Sequence, residues 1–173
     1  NAKNILTVGA IRDLNFPIYI PGITQINLEN YSGTGPTDDG RIKPDIVGNG
    51  DRLFSSISVE NAEDPNSVPC SSCYAELFGT SMASPNVAGS LALIQEYYIS
   101  QYGVPLRADV LKGIVLHTAH DIGAFEGPDY KYGWGLLNAR GAVDLVSENN
   151  GFFNELSLYN SEVLEFQIEN YGE

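Results

Sequence analysis

The stretch "FGTSMASPNVAGSLALI", Phe78 to Ile94, sets a serine between a Gly-Thr step and a run of small residues that opens into an apolar helix. Pro85 suits the first turn of such a helix, where a missing N–H costs nothing. The pattern predicts a helix from Ser81 to about Tyr98. Val87, Ala88, Leu91, Ala92, Leu93 and Ile94 cover most of its circumference before the first charge at Glu96, so a buried helix is expected. Ala83, Ala88, Gly89 and Ala92 suit close approach to a sheet. A serine hydroxyl is a poor nucleophile until a base takes its proton and donors stabilise the oxyanion. A helix start offers such donors, because its first N–H groups point at developing negative charge. Thr80 and the backbone N–H of Ser81 are the candidates; Gly79 lets a substrate backbone approach, and Ala83 keeps the entrance open. Read locally, a simpler account has Ser81 or Ser84 as the helix cap.

Around this helix the chain alternates strands and helices. "NILTVGAI" (Asn4 to Ile11) is a short β-branched run read as a buried strand, and "KPDIVGNG" is a second, stopped by glycines. "DRLFSSISV" is a candidate third, and Asn61 to Ser72 a polar insertion. "LRADVLKGIVLHTA" predicts a second helix, with Val110, Leu111, Ile114, Val115 and Thr118 on one face; "GWGLLNARGAVDLV" predicts a third with Asn138 as N-cap. Such alternation implies an α/β layered fold with a mostly parallel sheet flanked by helices. Two or three strands are too few to cover a buried helix on both sides, so the sheet is expected to be incomplete. Residues 1–148 read as this domain, and 149–173 as a linker and the start of a β-rich appendage.

Composition removes some classes of partner. Nine Lys and Arg stand against 22 Asp and Glu, a net charge of −13. With no basic cluster to attract phosphates, neither nucleic acid nor an anionic membrane is an expected partner. No apolar run approaches the length of a membrane span, and the N-terminal residues carry no signal-peptide pattern. The cysteines, Cys70 and Cys73, admit a zinc half-site, a redox pair or a small disulfide staple; the staple is the leading reading and points to an oxidising, exported setting.

The serine pattern is more specific than a cap. "GTSMASP" followed by "VAG" resembles the nucleophile motif of the subtilisin-like serine proteases. "ILTVGAI" is similar to the strand that family carries ahead of the motif. "YSGTGPTDDGRIKPDIV" resembles its "FSSxGPTxDGRxKPDxxAPG" segment, and "GPDYKYGWGLLNARGAV" its closing "YGxGxxNAxxAV". The segments follow the family's order across residues 4 to 146. The resemblance implies the C-terminal part of a secreted, bacterial-type subtilisin-like endopeptidase domain, acting through an acyl-enzyme on Ser81. It implies Thr80 as oxyanion support and Phe78, Gly79 and Met82 on the leaving-group side. The family's aspartate, histidine and oxyanion asparagine stand upstream of its matching strand and have no counterpart here.

The isolated chain is therefore expected to be inactive, its partners being a protein or peptide substrate and the missing N-terminal half. His117 and His120 read as packing and helix-end residues, and Asp121, Asp129 and Asp144 as caps or solvated surface; no triad is built from them. "GNG", Gly48 to Gly50, replaces the family's "APG" and leaves that loop's shape open. No cofactor is required and no metal ligand is assigned; structural calcium is admitted by the resemblance without a ligand set. Location is expected to be secreted or extracellular, including the cell surface. The competing function is a non-catalytic binding or scaffold module that keeps the fold.

Overall fold

The computed structural model describes residues 4–12, 26–57, 73–124 and 126–148. The polar insertion, Cys70 and the 149–173 appendage lie outside them. Strand β1 (Val8–Ile11) pairs in parallel with β2 (Ile46–Asn49), with Val8 opposite Ile46 and Ile11 opposite Asn49. The layer widens on both sides. Leu136 bridges Val47 in parallel and His120 in antiparallel fashion, and Leu28 bridges Ile11. Strands β3 (Leu53–Ser56) and β4 (Tyr74–Leu77) form a separate antiparallel pair. The expected third strand thus exists but does not join the parallel sheet, and β4 was not foreseen. "YAEL" is too short and too polar to announce a strand; only its pairing with β3 makes it one.

Helix α1 (Thr80–Tyr102) packs on β1 and β2, and its far end meets α3 (Ala139–Glu148), which also packs on α2 (Ala108–His117). Ile94, Leu106, Ile114, Val115, Ala142 and Val146 form the core between the helices. A second core joins Ile11, Ile26, Val47 and Ile122 beneath the sheet. α1 starts one residue earlier and runs four residues further than the pattern predicts, ending where Gly103 takes a left-handed φ of 74°. The third helix is shorter than expected. Residues 134–137 are spent on the sheet, and Asn138 then caps α3 through Oδ1, accepting the Gly141 N–H at 2.9 Å.

α1 is buried on one face only. Ala83, Val87 and Ile94 are inside, whereas Ala88, Gly89, Ala92 and Leu93 reach solvent. That asymmetry is what an incomplete sheet leaves behind: helix apolar all round, cover on one side. Gly48 and Gly50 explain the close seat of the covered side. A Cβ on Gly48 would lie 2.8 Å from Val87 Cγ2, and one on Gly50 would lie 2.6 Å from Ala10 Cβ. The "GNG" segment is therefore the end of β2 and the contact surface for α1.

β1 is tied down at its start by a buried carboxylate. Asp45 accepts from the Thr7 N–H and hydroxyl, each at 2.6 Å, from Lys43 Nζ, and from Lys112 Nζ on α2 at 3.3 Å. Both lysines also donate to the Ile5 carbonyl. Burial opposes the charge on Asp45, but the Lys43 and Thr7 hydrogen bonds outweigh it and hold the carboxyl below its usual range.

Candidate active site

The turn from β4 into α1 carries the candidate serine. Gly79 is the N-cap residue, with φ 143° and no side-chain cap bond. Ser81 is therefore the second residue of the helix and not its cap, and Ser84 lies deeper still. Ser81 is exposed, and among the described residues no hydrogen bond engages its hydroxyl or its N–H. Thr80 is half-buried beside it. The Gly79 carbonyl takes the Met82 N–H at 3.0 Å and the Ala83 N–H at 3.3 Å, so the unpaired amides at the helix start are those of Thr80 and Ser81. Pro85 falls in the second turn, later than expected, and has no N–H to give the Ser81 carbonyl. No acidic side chain stands in the first turn to cancel the dipole.

The position of this turn is set by peptide groups. The Gly50 N–H donates to the Ile11 carbonyl at 3.2 Å, and the Gly50 carbonyl accepts the Gly79 N–H at 2.8 Å. The same carbonyl accepts the Tyr31 hydroxyl at 3.0 Å. The Tyr31 ring lies 6.2 Å from that of Phe78, which is 67% exposed. Burial holds the Tyr31 phenol above its ordinary range, and Glu29 and Asp51 push it the same way against the Gly79 N–H and Arg12. Tyr31 and Gly50 were missed as site residues. The signals were there, in "YSGTGP" and in the "GNG" departure, but nothing local showed that these segments meet.

Thr80 also borders a cavity of about 430 Å³ that reaches Thr7, Val8, Gly35 and Pro36. Gly9 and Ile11 serve the β1–β2 ladder, Ala10 is satisfied by Ser32 Oγ and the Glu29 N–H, and Val8 lines the cavity.

The structure brings Phe78, Gly79, Thr80, Ser81 and Met82 together on one turn, and among the described residues no base stands beside them. His117 is exposed, not in the core as expected. Counting 100° per residue, it lies about a quarter-turn from the centre of the Val110–Leu111–Ile114–Val115 face. His120 lies beyond α2, on the segment that bridges Leu136, and not at a helix end. Asp121 and Asp129 accept turn N–H groups from Gly127 and from Lys131 and Tyr132, and Asp144 pairs with Arg140. Cys73 opens β4 with φ 44° and its carbonyl accepts the Ile57 N–H. The pairing proposed for it involves Cys70, outside the described residues. Among the described residues no group of three His, Cys, Asp or Glu side chains gathers to hold a metal.

The site is thus a solvent-facing serine in the first turn of a helix packed on the parallel strands of an α/β layer. The family model described as the subtilase family, peptidase S8, matches residues 1–135, and the chain belongs to that family of serine proteases. It is 34% identical over 122 residues to the C5a peptidase of Streptococcus pyogenes serotype M3, covering 69% of this chain and 9% of that protein. It is 32% identical over 143 residues to bacillopeptidase F of Bacillus subtilis, covering 79% of this chain and again 9% of the relative. The fold is similar to that of the Clostridium perfringens CspB protease, with a TM-score of 0.63 at 25% identity, covering 84% of this chain and 27% of that one. Fervidolysin from Fervidobacterium pennivorans shares the fold at a TM-score of 0.58 and 21% identity. The chain thus spans less than a tenth of these curated relatives' length.

Proposed function

We propose that this chain is the nucleophile-bearing part of a serine endopeptidase whose base and orienting aspartate come from residues outside it. The observation that carries the reading is the state of Ser81, exposed in the first helical turn with no capping role and, among the described residues, no hydrogen bond. In the proposed reaction Ser81 Oγ attacks the scissile carbonyl and its proton passes to the supplied base. The oxyanion is met by the Ser81 N–H with Thr80 beside it. The C–N bond then breaks as the base returns the proton to the leaving amine, and water hydrolyses the acyl-serine to restore the hydroxyl.

Phe78, Gly79 and Met82 line the leaving-group side in this reading. The substrate is a protein or peptide chain. The chemistry needs no cofactor, and any calcium is structural. An exported setting, outside the cell or on its surface, goes with the close cysteine pair. No helix among the described residues is long and apolar enough to cross a membrane.

A fluorophosphonate probe tests the reading. The longest natural chain carrying these residues labels at Ser81, its Ser81→Ala variant does not, and the isolated 173-residue chain labels little. Equal labelling of the long and short chains refutes an outside base. Absence of labelling and of peptide hydrolysis in the long chain refutes the protease reading and leaves the binding module.

A further inference from the structure

We infer that Tyr31 is a positioning residue for Ser81, acting through the Gly50 carbonyl that its hydroxyl shares with the Gly79 N–H. The inference rests on the proposed role of Ser81 and adds a residue to it. A carbonyl oxygen has two lone pairs, and here both are used: Gly79 N–H at 2.8 Å and Tyr31 hydroxyl at 3.0 Å. Gly50 is itself pinned to β1 through the Ile11 carbonyl, and a Cβ on it would come within 2.8 Å of the Gly79 carbonyl. The peptide groups of Ile11, Gly50 and Gly79 therefore form one hydrogen-bonded line from the sheet to the helix start.

Gly79 is the only link between β4 and α1 with the freedom to swing, since its φ of 143° is open to glycine and it has no side-chain cap. Holding its N–H fixes the direction in which Thr80 and Ser81 present their amides and the Ser81 hydroxyl. The Tyr31 hydroxyl fixes the acceptor that holds it, and the Tyr31 ring meets Phe78 on the residue just before.

Tyr31→Phe removes the oxygen and keeps the ring. In the longest natural chain it lowers the maximal rate of fluorophosphonate labelling at Ser81 about two- to tenfold, the size of one hydrogen bond. The probe concentration for half-saturation stays the same, and exchange of the Gly79 amide quickens by a similar factor. A structural role alone would lower melting temperature without moving the maximal rate below the transition. An unchanged maximal rate, or a change confined to half-saturation, overturns the inference. Should the variant fail to fold, a fluorinated tyrosine at 31 replaces it. Its phenol ionises at lower pH and then cannot donate, so labelling slows as it titrates; a profile identical to that of the natural residue overturns the inference. Failure of any long chain to label overturns the protease reading instead, and unaltered Gly79 exchange in Tyr31→Phe is the separate result against the hydrogen-bonded line.

Discussion

Asp45→Asn tests what anchors the first strand. The carboxylate is 8% exposed and accepts from four groups: two of Thr7, one of Lys43 and one of Lys112. An amide in its place offers one acceptor oxygen, and whichever way it turns its NH2 faces a donor. Breaking a buried ion pair from one side costs about 3–5 kcal/mol. The lysine side chains are 12% and 24% exposed and keep the Ile5 carbonyl as a second acceptor, so part of that cost is relieved. About 2–4 kcal/mol remains, a loss of roughly 30- to 1,000-fold in protection at about 1.4 kcal/mol per tenfold.

The assay is amide hydrogen exchange of the peptide spanning residues 5–12, corrected for intrinsic rate. The wild type adds a second measurement through pH. The Asp45 carboxyl is held below its ordinary value near 3.8, so its contribution is complete above that pH and is lost as pH falls through the lower, folded value. Wild-type protection of β1 should therefore decline in acid below the ordinary carboxylate range, while Asp45→Asn is already unprotected and changes little there. Equal protection of the two proteins at neutral pH, or a flat acid profile in the wild type, refutes the reasoning.

Other substitutions probe the remaining joints. Gly48→Ala drives a methyl against Val87, with an overpacking cost of about 1–3 kcal/mol in chemical unfolding, and Val87→Ala in the same chain restores most of it. Asn138→Ala removes the α3 cap and lowers stability by about 0.5–2 kcal/mol, read in the same assay. Ser81→Ala leaves stability within about 0.5 kcal/mol of wild type, since the side chain is exposed and bonded to none of the described residues, while fluorophosphonate labelling disappears.

The parallel strands, the α2 face and the Asn138 cap were legible because each is written in short-range pattern: β-branched runs, 3.6-residue spacing, a polar residue before a helix. The serine turn was legible as a motif through its resemblance to a family, whereas residue types alone allowed a helix cap. What escaped depended on distance along the chain. β4 is a strand only because β3 lies beside it. The half-open surface of α1 is the exception: the helical pattern does not record it, but the small number of strands announced it, because cover depends on how many strands reach the helix. His117 was misplaced by treating seven residues as two full turns, when the 20° shortfall moves it further from a face whose centre lies to the other side of Val110. The Tyr31–Gly50 bond joins residues 19 apart and needed the fold to be seen.

The line from Ile11 through Gly50 to Gly79 consists of peptide groups, and this shapes what genetics can see of it. Alanine scanning replaces side chains, and these bonds belong to the main chain, so a scan across the region would return clashes at the glycines and silence at Ile11's carbonyl. Of the Tyr31 hydroxyl and the Gly79 N–H, which both donate to the Gly50 carbonyl, it is the Tyr31 oxygen that a single side-chain substitution can remove cleanly. A mutational map of this protein would thus show a lone tyrosine far from the serine in sequence. The connection that gives it meaning would stay hidden from side-chain genetics, and backbone amide-to-ester replacement would bring it out.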